Sequence, residues 1–116
     1  GANTNTSDLK NNYSNVKFFT NEDDFIDTGK MFIGSIIGDF TRTAIGTKLN
    51  TGTYIGVGSN LFDDGFQNKF VPSFSWGKND RIGLNRFIKS IDKAMNRRNC
   101  KMPDSLKNRL IAIYKK

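Results

Sequence analysis

The chain has 116 residues, a single cysteine, no histidine and a formal net charge of +7 at pH 7. That length holds one compact domain or part of one. Without histidine, neither a His-based catalytic constellation nor a Cys/His zinc site can be built from these residues alone. Cys100 has no partner for an internal disulfide. No run of about 18 apolar residues is present to span a membrane, and the opening residues do not follow the basic, apolar, small order of a leader. The expectation is a cytoplasmic protein.

The charge is unevenly spread. Residues 1–76 carry six Lys/Arg against eight Asp/Glu, whereas residues 77–116 carry twelve against three. The basic residues of that tail are spaced among apolar ones at helical intervals, with no aromatic platform between them. This is the pattern of solvated helix faces rather than of a nucleic-acid groove.

Gly1 to Asn12, GANTNTSDLKNN, places Thr4 where a small inward residue stands if a six-residue unit begins just before Gly1. An uncapped first coil offers bare backbone edges, so the chain is expected to be the C-terminal part of a longer protein. Residues 13–30, YSNVKFFTNEDDFIDTGK, break the rhythm. Val16 to Phe19 and Phe25 to Ile26 read as two short strands around the acidic turn Asn21-Glu22-Asp23-Asp24, an excursion between coils. That turn lacks the spaced oxygen ligands and glycine of a calcium loop, and no metal site is expected.

Residues 31–61 organise the chain. Met31, Ile37, Thr43, Leu49, Ile55 and Leu61 step by six, and Ser35, Thr41, Thr47, Thr53 and Ser59 form a second ladder with the same step. Neither a helix nor an ordinary strand has that period. A parallel β-helix with three flat faces per turn does, one coil taking eighteen residues. Ordinary antiparallel strands would alternate with period two and drift out of phase across their turns. The expected architecture is mainly β, about three coils, with flat faces that expose Tyr54 and Val57 and so favour a homotrimer.

Residues 62–77, FDDGFQNKFVPSFSWG, read as an ordered aromatic loop, because Asp64-Gly65, Pro72 and Gly77 argue against a helix despite phenylalanines at every fourth position. Its rings either cover the coil stack or, with Gln67, Lys69 and Trp76, line a ligand cleft. The first domain is therefore placed at 1–77. Residues 78–116 form a basic helical extension: Leu84, Phe87, Ile88, Ile91, Ala94 and Met95 share one helical face. A second helix starts at Pro103 with Leu106, Leu110 and Ile113 inward. This pair of short α-helices is expected to cap the last coil or a subunit boundary. Asn50 and Asn60, at coil corners, can donate to a ligand or bond their own turns.

GANTNTSDLKNNYSNVK resembles the segment of left-handed β-helix sugar acyltransferases in which GA-T-T is followed by an Asn-Tyr pair and a nearby lysine. The run beginning IIGDF is similar to hexapeptide repeats. The strings LNTGTYIGVGSNLF and GFQNKFVPSFSWG resemble a GlmU-like group of sugar-1-phosphate nucleotidyltransferases, over nearly the whole chain. The resemblance implies a left-handed parallel β-helix that trimerises, the C-terminal domain of a transferase whose Mg²⁺-dependent nucleotidyltransferase domain lies outside these residues. It implies Asn12, Tyr13 and Lys17 as ligand-binding residues in a cleft for a sugar phosphate, nucleotide sugar or acetyl-CoA, and Asn50, from its corner position, is a further candidate. The alternative is a hexapeptide acyltransferase. The family's base histidine is missing here and its following serine is replaced by Ile45, so unless Asp8, Tyr13 or a missing segment serves, nothing supplies the base that acyl transfer needs. No catalytic residue is assigned and no nucleic-acid or membrane partner is expected.

Overall fold

The computed structural model describes residues 1–116, which divide into two compact units, Gly1–Arg81 and Ile82–Lys116. The first unit is β-rich. In chain order its strands are β1 (Asn5–Thr6), β2 (Lys17–Phe19), β3 (Phe25–Asp27), β4 (Ile36–Ile37), β5 (Arg42–Thr43), β6 (Lys48–Leu49), β7 (Tyr54–Ile55), β8 (Asn60–Leu61), β9 (Phe70–Val71), β10 (Ser75–Trp76) and β11 (Asp80–Arg81). From β4 to β8 each strand begins six residues after the last. A corner with positive φ recurs at the same step, at Phe40, Gly46, Gly52 and Gly58, and turns the chain before a strand can lengthen.

Pairing follows the six-residue step. β4 lies parallel to β7 with Ile36 beside Tyr54 and Ile37 beside Ile55, and β5 lies parallel to β8 with Arg42 beside Asn60 and Thr43 beside Leu61. The chain thus returns beside itself after eighteen residues, as the ladders of the sequence require. The sheets continue as β4-β7-β9 and as β5-β8-β10, with β11 antiparallel on β10.

Two departures from eighteen shape the unit. Thr6 of β1 pairs with Leu49 of β6, forty-three residues on. The additional twenty-five residues leave and rejoin at one point, where the Ile33 amide donates to the Asp8 carbonyl at 3.1 Å. The excursion expected at 13–30 is therefore wider, and its tip is the antiparallel hairpin of β2 and β3. On the other side, Lys48 bridges to Phe66 at eighteen, but Tyr54 pairs with Phe70 and Asn60 with Trp76 at sixteen. Two residues have been lost between Phe66 and Phe70. The segment 62–77 is thus not a loop throughout: β9 and β10 extend the parallel sheets.

Side chains explain the step. Leu49, Ile55, Leu61 and Val71 form one buried column, each worth about 1.5–3 kcal/mol on burial. The hydroxyl ladder repeats one local bond: Thr47 Oγ1 donates to the Ala44 carbonyl (2.8 Å), Thr53 Oγ1 to that of Asn50 (2.7 Å) and Ser59 Oγ to that of Gly56 (3.2 Å). Ser75 Oγ does the same to Pro72 at 2.7 Å. In these four the hydroxyl ties its own corner, whereas Thr41 Oγ1 donates to the Gly56 carbonyl at 2.9 Å and Ser35 Oγ is buried without a partner. Thr43, the hydroxyl in the aliphatic ladder, meets Thr4 Oγ1 at 2.9 Å, so it is satisfied. The first aliphatic members are not enclosed: Met31 and Ile37 are 36% and 50% exposed, and β4 is an edge strand.

The second unit is two helices, α1 (Leu84–Asn96) and α2 (Asp104–Tyr114). Phe87, Ile91 and Leu110 are buried, while Leu84, Ile88, Leu106, Ile111 and Ile113 are half-buried and Ala94 is exposed. Pro103 is the N-cap, not the first helical residue, with Asp104 following in the first turn. The Tyr114 hydroxyl donates to the Ile82 carbonyl at 2.9 Å, fixing the end of α2 to the start of the unit.

Gly38 and Gly56 stand at equivalent places eighteen residues apart, and a Cβ on Gly38 would lie 2.7 Å from the Gly56 carbonyl carbon and the Val57 nitrogen. A Cβ on Gly56 would in turn overlap the Ser73 backbone, whereas one on Gly34 meets nothing within 4 Å. Gly56→Ala should cost about 1–3 kcal/mol through forced overlap. Gly34→Ala should be neutral or stabilising by up to about 1 kcal/mol. Thermal unfolding followed by circular dichroism checks both, and equal effects would contradict the close stacking.

Candidate functional site

The excursion leaves the parallel sheets at Ser7, whose amide donates to the Leu49 carbonyl at 3.0 Å as the last rung of the β1–β6 pairing. Ser7 Oγ then donates to the Leu9 carbonyl at 3.2 Å. A tight turn follows, in which the Tyr13 amide donates to the Lys10 carbonyl at 3.0 Å and Tyr13 takes φ 58°. These bonds hold the limb Ser7–Asn12 away from the wall of the sheets and open a cleft.

The cleft measures about 570 Å³, in the range of small-molecule sites, and the excursion limb forms one side and Asn50, Thr51, Phe66 and Lys69 the other. Phe66 stands at the last eighteen-residue bridge, just before the two-residue loss. The Lys69 carbonyl accepts from the Tyr54 amide at 2.7 Å, which anchors that lysine at the base of β9. Thr51 is buried and its hydroxyl donates to the Ile33 carbonyl, where the excursion rejoins.

The electrostatics are one-sided. Lys10 and Lys69 both line the cleft, no carboxylate does, and the amides of Asn11, Asn12 and Asn50 add neutral donors. Partial burial, and then the neighbouring Lys10 ammonium, hold Lys69 below the usual lysine range. Two ammoniums kept close without a counter-charge suit an anion carrying several oxygens, such as a phosphate. Phe66, 56% exposed, offers a ring face beside them, and Lys48 Nζ stands 6.0 Å from its centroid.

Of the ligand-binding residues expected from sequence, Asn12 and Asn50 meet in this cleft. Asn12 Oδ1 accepts from the Ser14 amide and hydroxyl at 3.1 and 2.7 Å, so its contribution to a ligand is as a donor. Tyr13, 68% exposed, and Lys17 are not among the lining residues. Lys17 Nζ instead lies 4.5 Å over the Phe25 ring within the hairpin. Asn60 bonds its own turn, Nδ2 to the Gly58 carbonyl at 3.4 Å. Asp8 does not line the cleft; its carbonyl closes the excursion.

The other aromatic-segment candidates separate. Lys69 enters the cleft, Gln67 is buried and donates to the Asp63 carbonyl at 2.8 Å, and Trp76 packs edge-on against Phe62 at 5.2 Å. Nothing in the sequence singles out Lys10, because the fold of the limb is what brings it into the cleft with Lys69.

No three or more His, Cys, Asp or Glu side chains gather where they could hold a metal ion, so the residues here do not fit a multidentate Mg²⁺ site. No helix is long and apolar enough to cross a membrane. No family model, curated protein or solved structure matches the chain.

The lowered Lys69 pKa sets a sign. Below that pKa the folded state bears the cost of a charged, partly desolvated ammonium, and stability rises as pH climbs from the folded value toward the unfolded one, because the unfolded chain then holds more protons. Lys10→Met should raise the Lys69 pKa without restoring it fully, since burial remains the larger cause. An NMR titration of the Lys69 side chain reads this directly. An unchanged titration in the variant would show that the two ammoniums do not interact.

Proposed function

We propose that residues 1–77 form a left-handed parallel β-helix of hexapeptide type, and that the chain is the trimerisation and ligand-binding domain of a GlmU-like sugar-1-phosphate nucleotidyltransferase. The β-helix reading is supported by strand starts stepping by six and the eighteen-residue parallel register. The observation that carries the function is the cleft in which Lys10 and Lys69 face one volume with asparagine amides and an aromatic ring but no acidic side chain. That set of groups favours a phosphorylated sugar or a nucleotide: ammoniums for phosphate oxygens, amides for hydroxyls, a ring for an apolar face.

Binding is a better account of this cleft than acyl transfer. A transferase using acetyl-CoA needs a base for the attacking amine, and the lining residues include no histidine or carboxylate. Steady release of free thiol from acetyl-CoA in the presence of an amino-sugar 1-phosphate would favour the acyltransferase alternative instead.

Calorimetric titration with a hexose 1-phosphate should give saturable binding. Lys10→Met and Lys69→Met should each weaken it by about tenfold, the loss of one charge-assisted hydrogen bond of about 1.4 kcal/mol or more. Affinity unchanged in both variants would sink the assignment of this cleft. Sedimentation should show a species near three times 13.1 kDa, and a monomer at micromolar concentration would count against the trimer.

A further inference from the structure

The helical unit carries a second concave surface, independent of the lysine cleft. A groove of about 240 Å³ between α1 and α2 is lined by the apolar Leu84, Ile88 and Ile111 together with Asn85, Lys89 and Lys107. The three apolar side chains are only half-buried. Its surroundings are strongly cationic: residues 82–116 contain ten Lys/Arg against two Asp/Glu.

The β2–β3 hairpin has the complementary composition. Glu22, Asp23, Asp24 and Asp27 surround Phe25 and Ile26, and every residue from Asn21 to Asp27 is exposed. Its tip is held in one shape, since Asn21 Oδ1 accepts from the Asp23 and Asp24 amides at 2.8 and 2.9 Å and Asn21 Nδ2 donates to Asp24 Oδ2 at 2.9 Å. Such a preshaped loop loses little entropy on docking. On one side of the hairpin Phe25 is already engaged, 5.9 Å from the Phe19 ring and beneath Lys17. Ile26 pairs across the hairpin with Phe18 and is 60% exposed, a branched apolar side chain set among four carboxylates.

We propose that the groove between α1 and α2 receives the acidic hairpin of a second copy of this chain, with Ile26 on its apolar side chains and the carboxylates against Lys89 and Lys107. Hairpin and groove are different surfaces, so the contact is head-to-tail and either closes into a ring or continues. Opposite charges around a small apolar anchor also set the partner and register of such a contact.

Charge reversal in the full chain tests this. Lys89→Glu/Lys107→Glu makes the groove acidic, and Glu22→Lys/Asp23→Lys puts two ammoniums in place of two of the four carboxylates at the hairpin tip while keeping the Asn21–Asp24 bond. All four side chains are exposed, so both variants should keep the wild-type circular dichroism. Sedimentation at low salt should show association of each variant weakened by about tenfold or more relative to wild type, and restored when the two are mixed, because each then meets its complement. Association unchanged by either pair, or no recovery on mixing, would overturn the proposal. A mixed sample of two differently labelled wild-type populations should give an NOE between the methyls of Ile26 and Ile111 across copies. An NOE confined to one copy would also overturn it. A trimer that persists in both variants would leave the cleft reading of the first unit untouched while removing this contact.

Discussion

Everything in the β-rich unit depends on the backbone lying beside itself at a fixed interval. Strands of two residues bury too little to hold a sheet by themselves, yet β4 and β5 are each clamped by parallel hydrogen bonds to the strand eighteen residues on, and β7 and β8 to the one sixteen on. The spacing leaves room for only a narrow interior. Gly38 against Gly56 and Gly56 against Ser73 pack backbone on backbone, while Leu49, Ile55, Leu61 and Val71 fill the single apolar column. Stability is thus shared between a thin column and a repeated polar clamp, in which Thr or Ser bonds the carbonyl three residues before it.

The cleft is a product of the two places where that interval fails. Twenty-five additional residues on one side project the limb bearing Lys10 and Asn12, and a loss of two on the other brings Lys69 to the sheet wall after Phe66. A uniform interval would have produced a flat face. The departures convert it into a concave one and place two ammoniums across it, and the Lys69 pKa is lowered first by its partial burial there and then by Lys10.

The regular part of the fold was legible in the sequence because it is periodic. A step of six marks Ile37, Thr43, Leu49, Ile55 and Leu61, and the pairing of Ile37 with Ile55 and of Thr43 with Leu61 follows from it. The hairpin and both helices were legible for the ordinary reasons of turn residues and helical spacing. The strands β9 and β10 were not legible within residues 62–77, where Phe62, Phe66, Phe70 and Phe74 look alike and do different things. Phe62 meets Trp76, Phe66 lines the cleft, Phe70 stacks on Tyr54 at 5.9 Å, and Phe74 is fully buried with φ 63°. Of the residues that line the cleft, Asn12, Asn50 and Lys69 are candidates the sequence offers, and Lys10 and Asn11 are not. The partnership of Lys10 with Lys69 spans the chain from excursion to β9, and no local pattern encodes a juxtaposition of that kind.

The seam at Asp8 and Ile33 has a consequence for how such a chain can change. The excursion departs and returns beside one backbone bond and meets the corner at Gly52 through Val16 and Lys17, while its tip stands free of the rungs. Loop-closure entropy grows only slowly with length, so residues of the exposed tip, 21–27, can be added, removed or exchanged at small thermodynamic expense, whereas Val16 is fully buried. The arm supplies half of the cleft and all of the acidic hairpin. The surface that the tip displays can therefore drift over generations while the scaffold beneath it stands still.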